Sequence, residues 1–174
     1  MSVRQLIIGG LAVPVYASTE IAQSYVPVRG ATSRRTAAGG NILRVGWDGK
    51  LRTIISGSGL IPAGLQTLDY SGALTLSCIQ HRAVNSATNT ITIPAARRTD
   101  AGSTPYGRAL VGDVWVPTAV TGIVSNVATL TAVSGATQYQ CIYFPELSVH
   151  AEPPTEDKPR HGPVFGWTLE AEEV

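Results

Sequence analysis

Charge is what this sequence has least of. Lys, Arg, Asp and Glu together make up 14% of its 174 residues, against about a quarter in an ordinary globular chain. The hydrophobic fraction is 44%, so Gly, Ser, Thr, Ala and Pro have taken the place of the missing ions. Long apolar runs are also missing. None approaches the ~20 residues of a membrane-spanning helix, and no membrane span is expected. Runs of helix formers are interrupted by 18 Gly and 11 Pro, which disfavours a helical bundle or a coiled coil. Cysteine is nearly absent. Cys78 and Cys141 are the only two, whereas a small secreted scaffold is cysteine-dense, so folding in a reducing compartment is expected. The start, Met1 to Gly10, has one early Arg and an apolar stretch broken by Gly9-Gly10, and it does not read as a signal peptide.

What is present is strand signal. Leu43, Val45 and Trp47 alternate with Ile42, Arg44 and Gly46, and Leu51, Thr53 and Ile55 alternate with Arg52 and Ile54. Between them Asp48-Gly49 has the chemistry of a type I′ turn, so a hairpin is expected there. Ser56-Gly57-Ser58-Gly59 should end its second strand. Residues 62–70 suit one short helical turn, and 74–82 and 90–93 suit strands. Two β-rich runs, 119–124 and 127–133, flank Ser125-Asn126 as a hairpin. A last strand over 139–149 puts Tyr139, Cys141, Tyr143 and Leu147 on one face. This makes eight to ten strands with no long helix. The expected fold is all-β, a single sandwich or barrel-like domain over residues 1–150 with extended N- and C-terminal arms.

Residues 151–163 are polar and proline-rich, as in an extended linker. Phe165, Trp167 and Leu169 then supply apolar anchors before an acidic end. Such anchors need a surface to dock on, either the chain's own body or a neighbour. The charges are polarised in the same sense. Residues 1–60 hold seven cations against two carboxylates, a net +5, whereas residues 148–174 hold two cations against six carboxylates, a net −4. A basic front and an acidic back suit head-to-tail association of copies, or simply a solvated tail beside a mildly basic body.

Chemistry is harder to find. Cys78 and His81 have metal-ligand spacing, and Cys141 and His150 would complete a set. Strand geometry puts the thiols on apolar faces and the histidines on polar ones, which favours buried structural thiols. His161 falls in the linker. Ser56 and Ser58 lack a nucleophile elbow, and no nucleotide-binding glycine motif is present. Asp69, beside Ser71-Gly72, reads as a turn residue. Arg34-Arg35 and Arg97-Arg98 could contact phosphate, but no aromatic is interleaved with them, so no specific nucleic-acid binding is expected. The sequence reads as a non-enzyme without a cofactor.

Arg34-Arg35-Thr36-Ala37-Ala38-Gly39-Gly40, then Trp47-Asp48-Gly49-Lys50-Leu51 through Ser56-Gly57-Ser58-Gly59-Leu60-Ile61-Pro62 to Leu68-Asp69-Tyr70, resembles the small β-rich ring proteins at the distal end of tailed-bacteriophage tails. The resemblance covers roughly residues 30–75 and is one of pattern. The chain is shorter than larger distal tail proteins, with no room for a second carbohydrate-binding-like domain. The resemblance implies a tail-tube-like fold, a homo-oligomeric ring in the tail tip or baseplate, and contacts with neighbouring tube, hub or fibre proteins. It also implies a location in the virion, after synthesis in the bacterial cytoplasm. From the −4 arm and the +5 front, the acidic arm is expected to dock on an adjacent subunit or a neighbouring tail protein through Phe165, Trp167 and Leu169, with the basic face around Arg34, Arg35, Arg44 and Arg52 as its receiver. Two other classes stay open. A carbohydrate-binding sandwich predicts aromatics converging on one face, whereas Trp47, Trp115 and Trp167 are scattered in sequence. A hydrolase lacks a visible nucleophile or acid/base pair.

Overall fold

The computed structural model describes residues 4–158 and 164–174. The protein is all-β, with 60% of residues in strands and, among the described residues, no helix of seven or more residues. The strands are β1 (Ile7–Ile8), β2 (Leu11–Ala12), β3 (Glu20–Arg35), β4 (Asn41–Gly59), β5 (Leu74–Ser77), β6 (Arg82–Ser86), β7 (Thr90–Thr92) and β8 (Tyr106–Val111). They continue with β9 (Val114–Thr118), β10 (Val120–Val124), β11 (Val127–Leu130), β12 (Ala136–Tyr143), β13 (Glu146–Ala151), β14 (Thr155–Asp157) and β15 (Phe165–Glu173). Single 3-10 turns cover Val15–Ala17 and Leu65–Thr67, the second lying where one helical turn was expected. The run over 139–149 is two strands rather than one, broken at Phe144-Pro145. Proline has no N–H to give to a ladder.

The chain forms two compact units, Met1–Ala12 with Thr75–Leu147 and Val13–Leu74 with Ser148–Val174. This corrects the expected division into a body of 1–150 and a trailing arm of 151–174. The C-terminal segment is an integral part of the second unit.

In the first unit, the sheets β10-β11-β7 and β6-β12-β8-β9 share a core of Ile91, Ile93, Ala109, Ala128, Leu130, Tyr139 and Cys141. The hairpin β10–β11 turns at Ser125-Asn126, both with positive φ (48° and 66°), the conformation of a type I′ turn. The N-terminal segment is no free arm. β1 and β2 form a hairpin turning at Gly9-Gly10, β1 pairs with β5, and Leu6 and Ile8 are buried. Arg98 ties this unit together. Its guanidinium is 2% exposed and donates to Asp100 through Nε (2.8 Å) and Nη2 (2.9 Å). Nη1 donates to the carbonyls of Gln5 (2.9 Å), Ser77 (3.2 Å) and Cys78 (3.0 Å).

The second unit is built on a long hairpin. β3 and β4 pair antiparallel from Glu20↔Ser58 to Arg35↔Asn41, and β15 lies on the other side of β4, from Phe165↔Gly59 to Glu172↔Arg52. β14 and β13 pair in turn with the far edge of β15. Opposed pairs on one face are buried: Trp167 on Gly57, Leu169 on Ile55 and Ala171 on Thr53. The other face is polar, with Arg52 opposite Glu172 and Ser56 opposite Thr168. This alternation is what a sheet with one solvated face requires.

Two expectations about this region fail for physical reasons. Asp48-Gly49 does not turn the chain. β4 runs through it, and the register shifts where Asp48 and Gly49 face the segment between Val28 and Gly30, with Gly49 at φ 85°. A positive-φ glycine serves a bulge as well as a turn, and the true turn is Thr36–Gly40. Nor does Ser56-Gly57-Ser58-Gly59 end the strand. The indole of Trp167 lies where a Cβ on Gly57 would come within 2.3 Å of it, so the ring fills the space that the glycine leaves. Gly59 is packed as closely against the Tyr16 carbonyl.

Candidate assembly surface

The β3–β4 ribbon changes character along its length. Near its base β4 alternates buried and open residues, with Leu51, Thr53 and Ile55 inside. Thr53 is fully buried, its hydroxyl donating to the Ser24 carbonyl (2.9 Å) and accepting from Gln23 Nε2 (3.0 Å). From residue 31 to residue 49 every residue is exposed. The cause is topological. β15 pairs with β4 only as far as Arg52, so beyond it the hairpin continues as two strands with no third. β3 is also the last strand of its sheet.

The tip is nonetheless well formed. Thr36 N–H donates to the Gly40 carbonyl (2.8 Å), Gly39 N–H to the Thr36 carbonyl (2.9 Å), and Gly40 N–H to Thr36 Oγ1 (2.9 Å). Ser33 Oγ donates to Asn41 Oδ1 (2.6 Å) across the strands. Trp47 lies over its cross-strand partner Gly30, where a Cβ would meet the indole at 2.3 Å.

Register sorts the tip into two faces. Val45 and Leu43 stand opposite Ala31 and Ser33 on one face. Arg44 and Ile42 stand opposite Thr32 and Arg34 on the other. Ile42, Leu43, Val45 and Trp47 are 47–52% exposed, an unusual concentration of large apolar side chains with no cover. Arg34, Arg35 and Arg44 have no acidic partner among the described residues.

The seven expected interface residues therefore divide. Arg34, Arg35 and Arg44 come together on the ribbon tip. Arg52 does not join them. It pairs with Glu170 of its own chain, and that carboxylate, chiefly through its hydrogen bond, raises the Arg52 pKa. Trp167 and Leu169 are 3% and 0% exposed, and Trp167 Nε1 donates to the Ala17 carbonyl (2.8 Å). Phe165 is half-buried, with Lys158 Nζ 4.6 Å from its ring centroid. The expectation that these three anchor a neighbouring subunit is corrected: β15 docks on its own unit. Leu51 N–H donates to Glu173 (3.1 Å), and Lys50 Nζ donates to the Val174 carbonyl, so part of the acidic end meets part of the basic front within one chain.

The polar face of β15 borders a cleft of about 660 Å³. Glu152, Glu170 and Glu172 line it with Arg52, His150 and Thr168, so it carries three carboxylates against one guanidinium.

The remaining candidates have structural explanations. Cys78 and Cys141 are buried thiols, and burial raises the Cys141 pKa, against a smaller opposing effect of Arg97. His81 and His150 are exposed, and His161 lies outside the described residues. Among the described residues no three His, Cys, Asp or Glu side chains are grouped to hold a metal. Arg97 Nη1 donates to the Pro94 carbonyl (2.6 Å) and to Asn126 Oδ1 (2.8 Å), so Arg97-Arg98 is a structural pair rather than an exposed cation cluster. Asp69 accepts from Ser71 N–H (2.9 Å), the expected turn, and hydrogen bonding from Ser71, chiefly from its side chain and then from its N–H, lowers the Asp69 pKa.

Sequence reasoning missed Ile42, Leu43, Val45 and Trp47 as surface residues, because it paired them with 51–55. The available signal was that 30–35, their true partner, is Gly-Ala-Thr-Ser-Arg-Arg and offers little apolar surface to cover them. Comparison of the chain with protein-family models, with curated proteins and with solved structures gave no match.

Proposed function

We propose that this protein is a non-enzymatic structural subunit of a tailed-phage virion. Copies of it assemble, by contacts between β-structure, into a ring at the distal end of the tail, beside other tail proteins. The tail assignment rests on the pattern resemblance of residues 30–75, and the observation that supports assembly is the ribbon tip, a two-stranded arm with exposed apolar side chains and three arginines that have no acidic partner among the described residues. An isolated hairpin is marginally stable in water, and open strand edges are templates for other chains. A surface of this kind makes physical sense when a neighbour covers it. The low surface charge elsewhere points the same way, since neighbours can cover it without burying unpaired ions.

A carbohydrate platform is disfavoured by the tryptophans. Trp47 is exposed, Trp115 half-buried and Trp167 buried, so they form no shared stacking face. The test is electron microscopy and sedimentation of the purified full chain. Rings, or a defined oligomer, are expected. A protein that stays monomeric at high concentration, and is absent from virions probed with an antibody against it, would overturn the reading.

A further inference from the structure

We infer that the cationic ribbon tip of one copy seats in the acidic cleft beside β15 of the next copy, making a head-to-tail contact. This deepens the ring reading above and rests on it. Three observations carry it. The tip holds Arg34, Arg35 and Arg44 with no carboxylate between residues 30 and 47, while the cleft carries Glu152, Glu170 and Glu172 against Arg52. Guanidinium and carboxylate are matched in shape as well as charge, through paired N–H donors.

The tip also adds Ile42, Leu43, Val45 and Trp47, about half exposed. These are the side chains that supply affinity once charges have steered the encounter. Finally, the tip cannot reach its own cleft. Arg52 lines the cleft, and Arg44 lies eight residues along the same extended strand, about 26 Å away at the rise of a β-strand. Only a second copy can bring the two surfaces together. Because donor and receiver patches differ, the contact is heterologous, and repeating it generates a ring when the rotation closes.

A charge-swap experiment on the full chain tests this by sedimentation velocity, with circular dichroism as the check on folding. Wild type is expected to self-associate. Arg34→Glu/Arg35→Glu/Arg44→Glu, and separately Glu152→Lys/Glu172→Lys, should each weaken self-association by about tenfold or more. Mixing the two variants should restore it, because each reversed tip then meets an oppositely reversed cleft. If wild type forms rings but the mixture does not associate, the cleft is not the receiver, and this inference fails while the ring reading stands. If the tip variant loses binding to duplex DNA and the cleft variant assembles normally, the arginines serve phosphate and the inference is again overturned. If wild type is monomeric throughout, both fail.

Discussion

Two tryptophans in the second unit each lie over a glycine of a neighbouring strand, and their fates are opposite. Trp167 covers Gly57 at the base of the ribbon and is 3% exposed, its N–H held by the Ala17 carbonyl. Trp47 covers Gly30 toward the tip and is 52% exposed. The local device is the same, an aromatic ring filling the gap above a strand glycine. What differs is the third strand. β15 lies beside the base and not beside the tip, so the base has a covered face and the tip has none. Exposure here is a property of sheet topology, not of residue type.

The sharpest way to break this comparison is to delete each ring. Trp167→Ala should cost about 3–5 kcal/mol in urea unfolding, the range for emptying a buried aromatic site. Trp47→Ala should stay within about 0.5 kcal/mol, as for an exposed position. Equal losses would mean that the tip is packed in the free protein and that the contrast is wrong.

The arginines repeat the comparison on a smaller scale. Arg98→Met should cost about 3 kcal/mol, because the carbonyls of Gln5, Ser77 and Cys78 lose their buried donor. Arg34→Ala/Arg35→Ala/Arg44→Ala should leave the unfolding midpoint nearly unchanged and should alter assembly alone.

Hydrogen exchange sharpens the boundary. Amides of β4 between Arg52 and Gly59, paired on both sides, should be strongly protected. Those of Asn41–Trp47 should exchange within the range of local opening, and their protection should rise on self-association. A uniformly protected β4 would erase the distinction between base and tip.

The smallest effect concerns pH. The hydrogen bond from Arg98 holds the Asp100 carboxyl below the usual carboxylate range, with burial opposing. A depressed carboxylate contributes stability that is fully present above its unfolded pKa and is lost as pH falls through the folded value. The stability gap between wild type and Asp100→Asn should therefore be constant near neutrality and close in acid. A gap that widened in acid would contradict the assignment.

Much of the fold was legible because it is local. The Ser125-Asn126 hairpin follows from two residues that tolerate positive φ between β-prone runs. Alternation accounts for Tyr139 and Cys141 inside and Gln140 partly open, but it stops there: Ile142 and Phe144 are buried together with Tyr143, and the run breaks at Phe144-Pro145. Misreadings came where one local signal serves two structures. Gly49 reads as a turn and serves a bulge, and Gly57 reads as a strand end until a tryptophan more than a hundred residues away covers it. The candidate site was legible in part for the same reason. Arg34, Arg35 and Arg44 stood out as charges, whereas Ile42, Leu43, Val45 and Trp47 read only as one strand of a hairpin with residues 51–55 until their true partner strand was known.

By itself, then, the sequence determined an all-β protein, the thiols inside it, and a chain basic at one end and acidic at the other. Composition and two-residue alternation encode these directly. Only the tertiary structure decided that β15 enters the sheet of its own chain, that Arg52 is consumed by Glu170 while Arg34, Arg35 and Arg44 are not, and that the ribbon outruns its cover. Those outcomes depend on which strands pair over long separations. Backbone hydrogen bonds are nearly the same for every pairing, so the choice falls to side-chain contacts that no local window contains.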